Sequence, residues 1–296
     1  MGNAVPGLFL VEYLQTRRRF AVARPSFLST SMQICVLNSG SNGNCLFLSS
    51  GGTAVLVDAG ITYLQIRKRL AAIGHAPSEL SAVLVTHEHS DHCVGLPMLC
   101  EKNPALTLYA NYETSRGVED ALRRQIKPEH PLRWANFETG DTFEVGAFSV
   151  ETFGIQHDTA DPVAYVVSDG KCRIGVATDL GCVTEVVKRH LSGCDALVLE
   201  TNHDVDMLME SDRSWALKQR IRGRNGHLSN EQAAELLAYA YSDRLRVVFP
   251  AHVSGDCNTP DLAVRAVDIA LRALKCRERV TICPTHRDGA SDLVEL

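Results

Sequence analysis

From residue 32 onward the hydrophobic positions come in short runs separated by small and polar residues. "QICVLN", "CLFLS" and "TAVLVDAG" read as three strands divided by Gly, Ser and Asn turns. From Thr62 to Ile73 the spacing changes: Leu64, Ile66 and Leu70 are apolar while Arg67, Lys68 and Arg69 are not, which predicts a helix. "AVLVT" and, after a short helix, "LTLYA" are buried strands. Phe137 to Phe153 alternates and is punctuated by Gly140, Asp141 and Gly146, as a meander would be. "VAYVVSDGKCRIGVATD" predicts a hairpin turning at Asp169–Gly170.

The second half repeats the theme. Val183 to Leu191 is a predicted helix, "ALVLET" a strand and Asp212 to Ile221 a helix. "LSNEQAAELLAYA" predicts an amphipathic helix with Ser229 as N-cap and Gln232 closing a capping box. "RVVFPAH" is a strand, Asp261 to Leu274 a helix and "RVTICP" a closing strand. Strands in meanders followed by strand–helix alternation, once in each half, predict an α/β fold: two sheets face to face with helices outside, a four-layer αββα sandwich.

The totals add bounds. The chain has 296 residues, with 45% hydrophobic and 22% charged, enough for a substantial core. A net charge of -5 gives no sign of strong non-specific nucleic-acid binding, although a bound metal pair would make one local site positive. Ten scattered cysteines without a C-x-x-C read as buried, reduced thiols of a cytoplasmic protein. No apolar stretch is long enough to span a membrane. Residues 1–31 differ: Arg17 to Arg19 cluster there and Glu12 is the one acid, which fits either a targeting segment or a start assigned too early, with Met32 the true beginning. The fold is therefore assigned to residues 32–296.

The chemistry gathers in "VTHEHSDHCVGL". His87, His89, Asp91 and His92 fall within six positions where a strand ends and a loop begins. Residues two apart share a face in extended backbone, and imidazole with carboxylate suits zinc, manganese or iron. A lone histidine would read as a solvated loop; four such groups together read as a metal site.

"HEHSDH" matches the H-x-H-x-D-H signature of the metallo-β-lactamase superfamily, whose fold is the αββα sandwich. With "NSGSNGNC", "LVDAG", "ATDLG", "LETNHD", "GHLSNEQAA" and "HVSGDCNTP", in that order, the chain from Met32 to about Val264 resembles the YycJ/WalJ-type branch. That branch is related to ribonucleases Z and J, and its members are described as DNA exonucleases. The resemblance implies two divalent metal ions, Zn(2+) or Mn(2+). His87, His89 and His157 would hold the first; Asp91, His92 and His252 the second; Asp179 would bridge them. Asp58 would support the histidine loop without binding metal. His227 would protonate the leaving oxygen of a phosphodiester, with Glu200 orienting its ring, and Asp91 would also orient the nucleophile. The blander alternatives are that His227 belongs to a helix-capping turn and Asp179 to a turn before Gly181.

Other positions carry less. His203, beside Asp204, could stand behind the site or in an ordinary loop. Ser41, Asn42 and Asn44 in "SGSNGN" could offer donors to a phosphate, as could Ser229, or simply form turns. Lys218, Arg220, Arg222 and Arg224 precede His227; their spacing does not place all of them on one helix face, and some could contact a nucleic-acid backbone. Cys93 and Cys257 follow ligand histidines and read as packing residues. The implied function is a metal-dependent phosphodiesterase on nucleic acid, DNA favoured, running 5′ to 3′. No membrane association and no obligate protein partner are inferred. The rival is a thioester or lactam hydrolase on the same fold, against which His227 and Glu200 argue.

Overall fold

The computed structural model describes residues 31–296. The expectations for the N-terminal extension fall almost wholly outside the described residues. The first sheet contains β1 (Gln33–Asn38), β2 (Cys45–Ser50), β3 (Thr53–Val57), β4 (Leu80–Leu84), β5 (Thr107–Asn111) and β6 (Trp134–Phe137) in sequential order. The second contains β7 (Thr142–Val145), β8 (Phe148–Gly154), β9 (Val163–Ser168), β10 (Arg173–Ala177), β11 (Ala196–Glu200), β12 (Val247–Ala251) and β13 (Thr281–Ile282), again sequential. A last strand, β14 (Val294–Glu295), returns to pair antiparallel with β1.

Between them lie α1 (Tyr63–Ala72), α2 (Ser90–Cys93), α3 (Leu96–Lys102), α4 (Tyr112–Leu122), α5 (Glu185–Leu191), α6 (Val205–Glu210), α7 (Trp215–Arg222), α8 (Asn230–Ala240) and α9 (Pro260–Ala273). Side-chain alternation divides the strands' apolar residues between layers. In β3, Val55 and Val57 face the seam between sheets with Tyr165, Phe148 and Phe249, while Ala54 and Leu56 face the helices. In β11, Ala196 and Val198 take the seam and Leu197 and Leu199 pack under α8 and α9 residues such as Leu237 and Val267. Three apolar layers, one between the sheets and one under the helices on each side, give the αββα sandwich that the pattern predicts.

The strand directions place one edge of this sandwich for chemistry. β3 and β4 are parallel, as are β10, β11 and β12. β8 and β10 each run antiparallel to β9, so they are parallel to each other. The carboxyl ends of these strands therefore emerge on the same sides of their sheets, where parallel sheets place ligand sites.

Several expectations needed correction. The stretch 137–153 is not one meander: Phe137 closes β6 in the first sheet, and the chain crosses over before β7 and β8 form a hairpin in the second. Alternation reports a strand but not which sheet it joins. In α1, Ile66 and Leu70 are buried but Leu64 is exposed. Helices α4 and α6 and the strand β14 were not anticipated. Asn111 accepting from Thr114 N–H, with Val118 and Leu122 buried, was the available signal for α4.

Candidate metal centre

The candidate residues all lie at or just beyond strand ends. Asp58 follows β3, the loop from His87 to His92 follows β4, and His157 lies three residues beyond β8. Asp179 follows β10, Glu200 is the last residue of β11, and His252 follows β12. Asp58, Asp179 and His252 have φ of 60°, 60° and 51°, the left-handed region that non-glycine residues rarely occupy. Such backbone costs on the order of 1–3 kcal/mol each and persists where surrounding bonds enforce it. Those bonds are present at Asp58 and His252. Asp58 N–H donates to Leu84 O, His252 N–H to Ser39 Oγ, and Asn202 Nδ2 to His252 O.

Hydrogen bonds on one ring nitrogen then turn the other toward a common centre. His92 Nδ1 meets Asp58 Oδ2 at 2.8 Å. Thr86 Oγ1 donates to Asp58 and lies 2.9 Å from His87 Nδ1, so it accepts from that nitrogen. His157 Nδ1 lies 3.2 Å from Gly226 O, and His252 Nδ1 lies 2.9 Å from Glu200 Oε1. These partners turn Nε2 of each ring to the shared centre; His92 Nε2 there lies 3.0 Å from Asn44 Nδ2 and His87 Nε2 3.2 Å from His89 Nδ1. Ligand atoms of His87, His89 and His157 lie within 4.8 Å of one another, and so do those of Asp91, His92 and His252. Asp179 stands between the groups: Oδ1 is 3.6 Å from His157 Nε2 and Oδ2 is 3.3 Å from His92 Nε2.

Three buried atoms among these, His157 Nε2, Asp179 Oδ2 and His252 Nε2, have no hydrogen-bond partner among the described residues. Buried polar atoms ordinarily have one. Their convergence in an otherwise satisfied network fits divalent cations as the missing partners. The buried carboxylates set the charge of the centre. Burial pushes the Asp179 carboxyl up, but His252 and His92 outweigh it and hold the group well below its usual range. Burial disfavours the charged form of His252, yet Asp179, Asp91 and Glu200 raise its pKa to about 10. Burial and His92 keep His87 well below its usual value, in the neutral form a metal needs.

Glu200 is fully buried and serves four donors. Its Oε2 accepts from the N–H groups of Leu180 and Leu228. Its Oε1 lies 2.8 Å from His227 Nδ1 and 2.9 Å from His252 Nδ1. Burial raises its pKa, but His227 and His252 bring it down to about 2, so the group is an anion that accepts from both rings. His227, with 22% of its side chain exposed, lines a cleft of roughly 180 Å³ together with Ser41, Asp158, Asn202, Arg220 and Ser254.

The remaining candidates sort by their contacts. Asn44 is buried with Nδ2 3.0 Å from His92 Nε2, so it borders the metal ligands. Ser41 lines the cleft, and Asn42 is exposed on the same loop. Ser229 Oγ accepts from Gln232 N–H as the helix cap of α8, and Asp204 caps α6. His203 is buried, its pKa lowered to about 4 by burial, and pairs with Ser229 in a β-bridge behind the site. Arg220 pairs with Asp158, which neutralises it as a free cation. Cys93 Sγ donates to Glu88 O and His89 O, and Cys257 is buried. The sequence reading missed Thr86, which joins Asp58 to both His87 and His92; its place directly before the first histidine was the only signal.

This arrangement has relatives. The chain is 35% identical over 88% of its length, and 97% of the relative's, to a Streptococcus pneumoniae protein named Exodeoxyribonuclease WalJ. It is 34% identical to Exodeoxyribonuclease YycJ of Bacillus anthracis over 81% of this chain and 89% of that one. Among solved structures, zinc-bound PqqB from Methylobacterium extorquens superposes with a TM-score of 0.65 at 20% identity, covering 90% of this chain and all (100%) of the other. The family pattern described as Beta-lactamase superfamily domain matches residues 53–252, the span from β3 to His252. With this match over residues 53–252, a relative 35% identical over most of its length, and candidate metal-binding residues at strand ends of an αββα sandwich, the chain belongs to the metallo-β-lactamase superfamily.

Proposed function

We propose that this protein is a metal-dependent phosphodiesterase acting on nucleic acid, and specifically a DNA exonuclease running 5′ to 3′ with zinc or manganese. The observation that carries this reading is His227: a part-exposed imidazole, anchored by a buried carboxylate, at the rim of a centre of overlapping groups of metal-binding residue types. The names of the relatives from S. pneumoniae and B. anthracis support DNA as the substrate. His87, His89 and His157 would hold one cation, Asp91, His92 and His252 the other, with Asp179 between. Residues 32–296 would form the hydrolase domain. Ten free cysteines, nine of them buried, suit a reducing, cytoplasmic setting, and no helix among the described residues is long and apolar enough to cross a membrane.

When bound, the divalent cations supply Lewis acidity, lowering the pKa of water and offsetting charge on the phosphoryl oxygens. The chain's residues supply positioning and the proton. Asp91, with 24% of its side chain exposed, lies 3.6 Å from His92 and 3.8 Å from His252 and orients the attacking water from the open side. Glu200 accepts Nδ1–H of His227, which fixes the ring so that Nε2 carries the mobile proton. As the water oxygen bonds to phosphorus and the bond from phosphorus to the leaving oxygen breaks, that proton passes from Nε2 to the leaving oxygen, with Glu200 holding the ring in place. General acid catalysis of this kind contributes roughly 10²–10⁴ in rate.

The test is a cleavage assay on DNA and RNA oligonucleotides labelled at either end, with zinc or manganese, beside a His227→Ala variant checked for retained metal. Stepwise shortening from the 5′ end of DNA, slowed in the variant, is expected. A metal-loaded protein that leaves every oligonucleotide intact while hydrolysing a thioester or lactam would overturn the reading.

A further inference from the structure

Helix α7 is the one α-helix of eight or more residues, among the described residues, that buries none of its side chains. It is nonetheless tied to the centre. His227 N–H donates to Ile221 O in its last turn, and Gly226 O meets His157 Nδ1. Its two faces differ. Leu217, Arg220 and Ile221 line the cleft beside His227. Trp215, Lys218, Gln219 and Arg222, at i, i+3, i+4 and i+7, share the opposite stripe and border a shallow surface trough with Met209.

That stripe has two properties that burial or solubility does not require. Trp215 is 58% exposed, a large aromatic face left in water. Its cations are held in place without being neutralised: Lys218 Nζ donates to Met209 O at 2.7 Å, and Arg222 contacts Met209 Sδ at 3.6 Å. No carboxylate pairs with either among the described residues, whereas Arg213 and Arg220 each have one. Between Asp212 and Glu231 the sequence has five Lys and Arg and no acid, in a chain whose net charge is -5. An exposed aromatic ring flanked by unpaired cations is how proteins hold unpaired nucleic acid: each base offers a π-face and the backbone offers phosphates.

We infer that the outer stripe of α7 is a track for a single-stranded stretch of nucleic acid, with a base stacked on Trp215 and phosphates on Lys218 and Arg222. This rests on the nucleic-acid reading above and deepens it, because the track selects an unpaired strand. Trp215 stands about 10 Å along the helix from its last turn, roughly three nucleotides at the rise of a DNA strand. Trp215 would thus be a positioning residue that holds the strand a few nucleotides from His227, and Arg220, paired with Asp158, is left to shape the cleft.

Binding of a short labelled single strand, read by anisotropy, tests this in a metal-loaded His227→Ala background that slows cleavage. Trp215→Ala should weaken binding about tenfold or more, with Trp215→Phe retaining most of it, since stacking needs an aromatic face. Lys218→Ala and Arg222→Ala should each lower the slope of log Kd against log salt by about 0.7. Thermal melts should confirm that these surface variants fold. Unchanged affinity in Trp215→Ala, or an equal loss on a blunt duplex with no unpaired base, would overturn the track. Failure of the nuclease reading would show separately, as intact oligonucleotides under the metal-loaded wild type.

Discussion

The carboxylate of Glu200 touches two histidines with different duties, and their separation is testable. Because Oε1 orients His252 as well as His227, Glu200→Gln should lower both metal affinity and turnover. A metal-orienting partner of this kind is worth roughly 10–100-fold in affinity. His227→Ala should instead keep its metals and lose about 10²–10⁴ in kcat. Metal content and single-turnover rates of the two variants distinguish them; equal metal loss in both would contradict the division. Metal binding should also depend on pH. In the metal-free protein the neighbouring carboxylates raise His252 to about 10 and His92 well above its usual value, both against the effect of burial. Both rings must release protons to coordinate, so affinity should rise with pH through the neutral range. Calorimetry in buffers of different ionisation enthalpy should register proton release at pH 7, and a pH-independent affinity would contradict it. The grouping of His87, His89, Asp91 and His92 was legible in the sequence because "HEHSDH" compresses four metal-binding residue types into six positions. The double role of Glu200 was not, because it depends on β11 and β12 running side by side, with Glu200 opposite Ala251.

At the scale of elements, two short segments hold His227. The first is the cap of α8. Ser229 and Gln232 complete the capping box expected from sequence, one residue after Leu228 donates to Glu200. Ser229→Ala should therefore cost about 1 kcal/mol of stability in chemical denaturation. The second is the loop from Gly223 to Gly226, which lies so close to Gly181 that a β-carbon there would fall 2.1 Å from Arg224 O. Gly181→Ala should displace the loop and lower kcat while the protein stays folded; unchanged kinetics would show that the loop tolerates the shift. The sequence marked the caps, since Ser and Gln three apart before an apolar run carry their own local mechanism. It did not mark Trp215 as exposed, because an aromatic residue at helical spacing reads as core until the packing is seen.

Across the whole molecule the two sheets depend on each other at the site. Tyr165, fully buried in the seam and carried by β9, donates its hydroxyl at 2.6 Å to Val85 O, two residues before His87 in the first sheet. Tyr165→Phe should leave that carbonyl unpaired and cost about 1 kcal/mol, read as a shift in denaturation midpoint. The layered fold was legible because strand-length apolar runs and helical spacings alternate along the chain. The transfer of the 137–153 stretch between sheets and the return of β14 to β1 were not, since both are pairings between distant segments.

Protonation of the leaving oxygen by His227 is tested most directly with an oligonucleotide whose leaving oxygen at the scissile phosphate is replaced by sulfur, a group that departs without a proton. On this substrate the defect of metal-loaded His227→Ala should shrink to near the wild-type rate, while the oxygen substrate keeps the full loss of about 10²–10⁴. A defect of the same size on both substrates would contradict the assignment.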